Sequence, residues 1–479
     1  MASSSDDQSL NLPLKEIPGN HGLPIIGPIL DRYNYNYFQG HDEFIKSRME
    51  KYKSSVFRMN MLPGQFIKVS DPKVIVLADA LSFPILFDLS KVEKSNVLDG
   101  TFMPCLSFTG GCRTCAYLDP SEEKHSKLKS LFLSLIASRH DKFIPESQRC
   151  FKALFDGLEA DVAEKGAANF NTLNDNMAFD LVFRVFFDIN PADTMLGNKG
   201  PSMITKWLVL QLHPLITLGL PKIMSIVEDF FLHTFSYPSF LVKSDYQKIY
   251  EVIYTSSTSI LDEAETLGLS KEEACHNLVF LAGFNAYGGM KALFPALMKW
   301  LCLGGQKLHK DLAEEIRTVI ESEGGVLTLR SIEKMTLTKS VVYEALRIEP
   351  PVPYQYARAK EDLVINSHDA CYKVKKGELL FGYQPFATKD PKIFENPEEF
   401  IGTRFIGEGE KLLKYVYWSN ERETVNPTVD NKQCPAKNIV VLLARLMVIE
   451  FFQRYKTCTA EISKFLLGSL VNVKTLTKH

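Results

Sequence analysis

Alternation of apolar and polar residues clusters in two distant parts of the chain. One is Val56 to Val69, VFRMNMLPGQFIKV, broken by Pro63-Gly64; the other is Asp362 to Gly382, DLVINSHDACYKVKKGELLFG, turning at Lys375 to Gly377. A period of two interrupted by Pro and Gly predicts strands joined by turns, and the two segments are expected to share one small sheet region. Between and after them run long amphipathic or wholly apolar stretches, which predict a helical bulk. Asp71-Pro72 has the form of an N-cap followed by proline at the first helical position, and Ser270-Lys-Glu-Glu273 that of a capping box. The helix begun at Ser270 continues as ACHNLVFLAGFNAYGGMKALFPALMKW, almost without charge. A helix that is apolar on every face must be surrounded by protein. Glu272, Glu273 and Lys291 argue against a bilayer span, and Gly283, Gly288, Gly289 and Pro295 predict a kink or the close approach of a flat ligand. Ile439 to Phe452 predicts a second core helix. No repeat or linker divides the chain, so one domain over residues 1–479 is expected, mainly α with a small β region. Its β-rich parts are placed at about 50–70 and 355–385 and the remainder is read as helical.

Composition narrows the function. A chain of 479 residues, 45% hydrophobic and 23% charged, can bury a large core and a deep pocket. Its 55 basic and 57 acidic residues give a net charge of -2, which supplies no field for a phosphate backbone, so nucleic acid is not an expected partner. Nine cysteines, odd in number and widely scattered, predict a reducing compartment. The start, MASSSDDQSLNLPLKEIPGNHGLPIIGPILDRY, is polar and then rich in Pro and Gly, with no apolar run near the ~20 residues that span a bilayer. Its serines suggest a plastid transit peptide only weakly, because Asp6 and Asp7 are acids. A cytoplasmic protein is expected, without a transmembrane anchor and able to touch a membrane or lipid body peripherally. Cys112-Arg-Thr-Cys115 has redox-motif spacing but no βαβ context, and the glycines from Gly19 to Gly27 follow no strand, so neither thioredoxin-like nor dinucleotide chemistry is expected.

Three motifs in order carry the chemistry. Glu344-Ala-Leu-Arg347 puts an acid and a guanidinium one turn apart on a helix; by itself this is an ordinary surface ion pair. Phe400-Ile-Gly-Thr-Arg404-Phe405 ends a loop in Arg-Phe, and Cys434 stands in Asn431-Lys-Gln-Cys-Pro-Ala-Lys437 just before the second core helix. In this order the motifs resemble the cytochrome P-450 family over nearly the whole chain. The resemblance implies a single large haem-binding domain, with Glu344, Arg347 and Arg404 as a buried charge triad bracing the loop that presents the thiolate. It makes Cys434 the axial ligand of a haem b iron, a role that a helix N-terminus favours chemically. His125 and Lys129 match the positions of propionate donors, and Lys432, where the family has an arginine, is included with them among the cofactor-binding residues.

Oxygen-activating members carry an acid and an alcohol on the central helix; here Ala282-Gly-Phe-Asn285-Ala286 offers an amide and a methyl instead. The ligand loop departs too, with Pro427, Asp430 and Lys432 at its family positions, and Ala436 in place of a glycine is expected to weaken haem loading. These departures, with Trp418-Ser-Asn420 and Lys243-Ser-Asp-Tyr246, resemble the plant fatty-acid hydroperoxide branch: hydroperoxide lyases, allene oxide synthases and divinyl ether synthases. That implies polyunsaturated fatty-acid hydroperoxides as substrates and no need for dioxygen, NADPH or a reductase. Asn285 would hydrogen-bond the hydroperoxide, Phe284 stands beside it on the helix, and Lys243 would pair with the fatty-acid carboxylate. Leu98 and Ala286 are aliphatic where allene oxide synthases tend to carry Phe and Ser or Thr. The main expectation is therefore a lyase yielding aldehydes and oxo acids from 9- or 13-hydroperoxides. The alternatives are an allene oxide or divinyl ether synthase and, more weakly, a haem-binding protein without turnover.

Overall fold

The computed structural model describes residues 12–61, 71–96, 98, 102–465 and 468–479. The Pro63-Gly64 turn, Asp99-Gly-Thr101 and the Ser-rich start with Asp6 and Asp7 lie outside the described residues. Val56–Asn60 pairs antiparallel with Lys73–Leu77, from Val56 opposite Leu77 to Asn60 opposite Lys73. Lys73–Leu77 then runs parallel to Leu379–Tyr383, Ile75 facing Leu380, so the two alternating segments do meet in one sheet. Tyr354–Ala359 and Val92–Glu93 complete its five strands. The Asp362 to Gly382 segment divides, however: Leu363–Asn366 and Cys371–Val374 form a hairpin in a second sheet with Leu14–Lys15.

Two expectations are corrected. Asp71-Pro72 opens the strand Lys73–Leu77, not a helix. Asp71 does cap, its carboxylate accepting from Lys73 N at 3.2 Å, but the β-branched Val74-Ile-Val76 that follow fit a buried pleated surface. The region after the second core helix is not helical either. Tyr455–Phe465 and Gly468–Lys478 form a long antiparallel hairpin joined by Ala168–Asn169. In it Val471 and Val473 face the core while Asn472 between them and Leu470 and Lys474 beside them are half-exposed.

Helices supply the rest. Ser270 caps the central helix, its hydroxyl accepting from Glu273 N at 3.2 Å. The helix runs as Lys271–Phe280, widens into a π turn over Leu281–Tyr287, and continues as Gly288–Leu303 with Pro295 inside. The widening answers the expected distortion, since π turns inside α-helices concentrate at functional sites. Gly283 serves packing: a Cβ there would lie 2.8 Å from Ile204 Cδ1 and 2.9 Å from Trp207 Cζ3. The second core helix spans Lys437–Arg454 and packs with the central helix in one apolar core. Among the described residues no helix is long and apolar enough to cross a membrane.

Candidate active site

The charge triad forms. On the helix Thr336–Ile348, Glu344 and Arg347 are both fully buried, and the Arg347 guanidinium donates to the Glu344 carboxylate from Nε at 2.7 Å and Nη2 at 2.8 Å. Arg404 Nε donates to the same carboxylate at 2.9 and 3.0 Å, and Ile401 N adds a bond at 2.9 Å. A buried carboxylate between two guanidiniums is tolerated because every charge has a fixed partner. The outer edges of the guanidiniums end on backbone carbonyls: Arg347 reaches Thr388, Pro397 and Glu399, and Arg404 reaches Glu395, Asn396 and Glu399. These bonds organise the irregular segment 388–404. The triad therefore braces that segment, and the Cys434 loop is held by other residues.

The part those other residues play is not legible in the sequence. Tyr343, next to Glu344, donates to Glu423 at 3.2 Å, and Trp418 Nε1 donates to the other oxygen of the same carboxylate at 2.8 Å. Lys437, at the start of the ligand helix, donates to the carbonyls of Glu423 and Val425, both at 2.7 Å. Gln433 Nε2 spans Ser419, Arg422 and Val425. Lys94 donates to Asn420 Oδ1, and Asn420, at φ +64°, donates on to Lys432 O at 3.2 Å. Burial and the neighbouring Lys432 push the Lys94 ammonium down to about 7. Glu423 and Lys437 sit 14 residues apart, and no short motif marks such a pair; Trp418-Ser-Asn420 and the run from Asn431 to Lys437 contain several members of this network, but their spacing does not show that they meet.

Cys434 precedes the helix Lys437–Arg454 by one turn. Cys434 N donates to Ser419 O at 2.9 Å and Lys437 N to Cys434 O at 3.1 Å, which fixes the backbone on both sides of the sulfur. Burial pushes the thiol up, while the Ala436 N–H and the Lys129 ammonium favour its anion. Ala436 has φ -91° and ψ 14°, a conformation open to any residue, so the backbone itself does not call for glycine there.

His125 and Lys129 lie one turn apart on Glu123–Ser138, both facing inward and buried. Lys129 Nζ donates to the carbonyls of Asn431 and Gln433, and Lys432 Nζ to those of Cys115 and Ala116. Both lysines thus brace the loop first, and each ammonium, with three protons, keeps one donor for another acceptor. Burial and these two ammoniums push His125 down to about 4, so it is neutral, and its Nδ1 is buried without a hydrogen-bond partner. A thiol at a helix N-terminus, an orphaned imidazole nitrogen and two ammoniums with a donor to spare fit a haem: the sulfur suits the iron and the others suit its carboxylates.

On the central helix Asn285 is exposed although Gly283 and Tyr287 on either side are buried. Phe284, one residue before it, stacks on Phe280 at 4.6 Å between ring centroids. Phe284, Ala286 and Leu98 are half-buried at the edge of the main core, and Leu98 N donates to Phe102 O at 3.0 Å. Lys243 is exposed at the first position of Lys243–Ser256 and opens onto a cavity of about 300 Å³ lined by Phe108, Trp207, Tyr246 and His276. The Tyr246 hydroxyl and His276 Nδ1 share a hydrogen bond of 2.7 Å in its wall. An aromatic path leads from there toward Asn285: Tyr246 to Trp207 at 5.9 Å, Trp207 to Phe280 at 6.2 Å, then Phe284.

Comparison with known proteins agrees with this architecture. A family profile described as Cytochrome P450 matches residues 18–419. It ends before the Cys434 loop. Full-length relatives continue through the loop. The chain is 53% identical over 469 residues to Allene oxide synthase 3 of Solanum lycopersicum, covering 98% of this chain and 95% of that one. It is 54% identical over 471 residues to the chloroplastic allene oxide synthase of Arabidopsis thaliana, covering 98% and 90%. To the 9-divinyl ether synthase of Capsicum annuum it is 48% identical over 477 residues, covering 99% of each. With the triad, the cysteine loop and these matches in place, the chain belongs to the cytochrome P450 family, whose enzymes hold haem through a cysteine thiolate.

Proposed function

We propose that the protein is a reductase-independent haem-thiolate enzyme that dehydrates fatty-acid hydroperoxides to allene oxides. Asn285-Ala286 in the π turn carries the hydroperoxide chemistry, an exposed amide within a buried helix with neither an acid nor an alcohol beside it, and the relatives carry the choice of product. An amide donates from Nδ2 and accepts at Oδ1 but does not titrate, so it orients the two hydroperoxide oxygens without passing a proton to dioxygen. A hydroperoxide already contains the O–O bond, and its conversion to an allene oxide releases one water, so the atoms balance without a co-reactant. Cys434, His125, Lys129 and Lys432 would hold the haem, which supplies an iron whose thiolate pushes electron density toward that bond. Phe284, Ala286 and Leu98 offer apolar wall and no competing donor. Lys243, at the mouth of its cavity, would bind the carboxylate. The two allene oxide synthases and the divinyl ether synthase favour products that keep the carbon chain whole.

Leu98 and Ala286 favour a second reading, the lyase. An aromatic face or a hydroxyl would stabilise an electron-poor centre, and neither position has one. Mixing the haem-loaded protein with linoleic acid 9- and 13-hydroperoxides, without NADPH, and identifying products by mass spectrometry separates the two. Intact ketols formed by hydrolysis of an allene oxide support the synthase; short aldehydes with oxo acids overturn it in favour of the lyase. Asn285→Ala is expected to lower turnover by about 10²-fold, the effect of deleting one preorganised donor.

Peripheral contact with lipid belongs to the same proposal. The helix Ser225–His233 exposes Ile226, Val227, Phe230 and Phe231, and Ile26–Tyr33 exposes Ile26 and Leu30. The two helices are tied by a buried Arg32 to Asp229 bond of 2.8 Å. Exposed apolar residues in such number fit a lipid surface. Flotation with phosphatidylcholine vesicles is expected to carry the protein, and Ile226→Asp with Phe230→Asp to abolish it; binding unchanged in that variant would refute the contact.

A further inference from the structure

Two free cysteines outside the haem site face each other. Cys302, in the last turn of Gly288–Leu303, and Cys458, in the strand Tyr455–Phe465, place their sulfurs 3.1 Å apart although 156 residues separate them in the chain. A disulfide bond measures about 2.05 Å, so about 1 Å of approach separates this pair from a covalent link. The backbone around them is already pinned. His309 Nε2 donates to Leu301 O at 2.7 Å, which leaves Nδ1 to accept from the Thr457 hydroxyl at 2.8 Å. One buried imidazole thus holds the residue before each cysteine, on both elements at once. The hydrogen bond between the sulfurs and burial raise the Cys458 thiol well above its ordinary value, and either sulfur can be the donor. Cys458 is 2% exposed, whereas Cys302 is half-buried and is the more accessible residue of the two.

We propose that Cys302 and Cys458 are a modification site at which a hydroperoxide forms a reversible disulfide. The Cys302 thiolate attacks the terminal oxygen of ROOH, the O–O bond breaks, ROH leaves, and Cys302 becomes a sulfenic acid. The Cys458 sulfur then displaces water from it, its proton leaving with that water. Two thiols lose two electrons and the O–O bond gains them: ROOH with two RSH gives ROH, water and RSSR. The link joins the end of the central helix to the C-terminal hairpin and encloses Glu344, Arg404 and Cys434 in one covalent loop. Closing a loop that long restricts the unfolded chain, so the oxidised protein unfolds at a higher temperature. The inference does not depend on the proposed function, because hydrogen peroxide is as competent an oxidant as a lipid hydroperoxide.

The test treats reduced, haem-loaded full-length protein with hydrogen peroxide or, separately, with linoleic acid 13-hydroperoxide. Remaining thiols are blocked with N-ethylmaleimide and peptides are mapped without reduction. A peptide pair linked through Cys302 and Cys458, removed by dithiothreitol, is expected; the arm in which it forms identifies the oxidant. The unfolding temperature rises by a few degrees on oxidation in the parent and does not in Cys302→Ser or Cys458→Ser. Mapping of the parent alone decides the matter if a variant fails to fold. Separate N-ethylmaleimide adducts on both cysteines after peroxide, or Cys302 as an unlinked sulfonic acid, would overturn the proposal.

Discussion

Replacing Glu344 by Gln tests the triad with almost no change of shape. The carboxylate holds four donor contacts from two guanidiniums, at 2.7, 2.8, 2.9 and 3.0 Å, and a fifth from Ile401 N at 2.9 Å. In Glu344→Gln the amide nitrogen turns a donor toward donors, and two buried guanidiniums lose the charge between them. Summing the bonds separately would overcount; removing one member of a buried ion pair costs about 3–5 kcal/mol as a unit. At about 2.1 cal/mol/K of unfolding entropy per residue, 479 residues give about 1 kcal/mol/K, so the loss reads as a fall in Tm of about 3–5 °C. Calorimetry of the haem-loaded protein measures it, with Glu408→Gln as the control, because its partner Lys411 is exposed and such surface changes stay within about 0.5 kcal/mol. The thiolate-ligated fraction, read from the carbon monoxide difference spectrum, should fall less than the Tm, since the triad braces segment 388–404 and not the Cys434 loop. A Tm within about 1 °C of the parent's would refute the argument that these charges depend on one another.

Lys437→Met should show the reverse pattern. It strips the donor from the Glu423 and Val425 carbonyls and is expected to lower the thiolate-ligated fraction more than the Tm; equal losses in both would contradict the role given to this lysine. Gly283→Ala drives a methyl into Ile204 and Trp207 and should destabilise by about 1–3 kcal/mol, measured by denaturant unfolding. His368 donates to Asp390 at 2.6 Å, and that bond raises its pKa above 6.5. A raised folded value means the stabilisation is complete below pH 6.5 and is lost as pH rises through the folded pKa. His368→Gln is expected to flatten the slope of Tm against pH in that window, and an unchanged slope would place the pH dependence elsewhere.

Local chemistry was legible wherever neighbours in sequence carry it. Ser270 as an N-cap, the Glu344-x-x-Arg347 pair, the apolar helix after Cys434 and the distortion around Gly283 to Pro295 each depend on side chains within a turn or two of one another. Asp71-Pro72 reads equally as a helix start or a turn because a cap and an Asx turn use the same bond, and only the pairing of Ile75 to Leu77 with two strands decides between helix and strand. The hairpin from Tyr455 to Lys478 was missed although Val471 and Val473 alternate with polar residues, because that signal spans few positions.

By itself the sequence determined the fold class, the order of the three haem-related motifs, and the presence of an amide and a methyl at Asn285-Ala286. The tertiary structure decided what each charge touches. It turned Lys129 and Lys432 toward loop carbonyls, left His125 Nδ1 without a partner, gave the Cys434 loop to Glu423, Lys437 and Tyr343, and brought Cys302 to Cys458. Such contacts join positions up to 316 residues apart. Periodicity and motif spacing report only what lies within a few turns of chain, whereas burial favours polar groups that find a partner wherever the fold puts one.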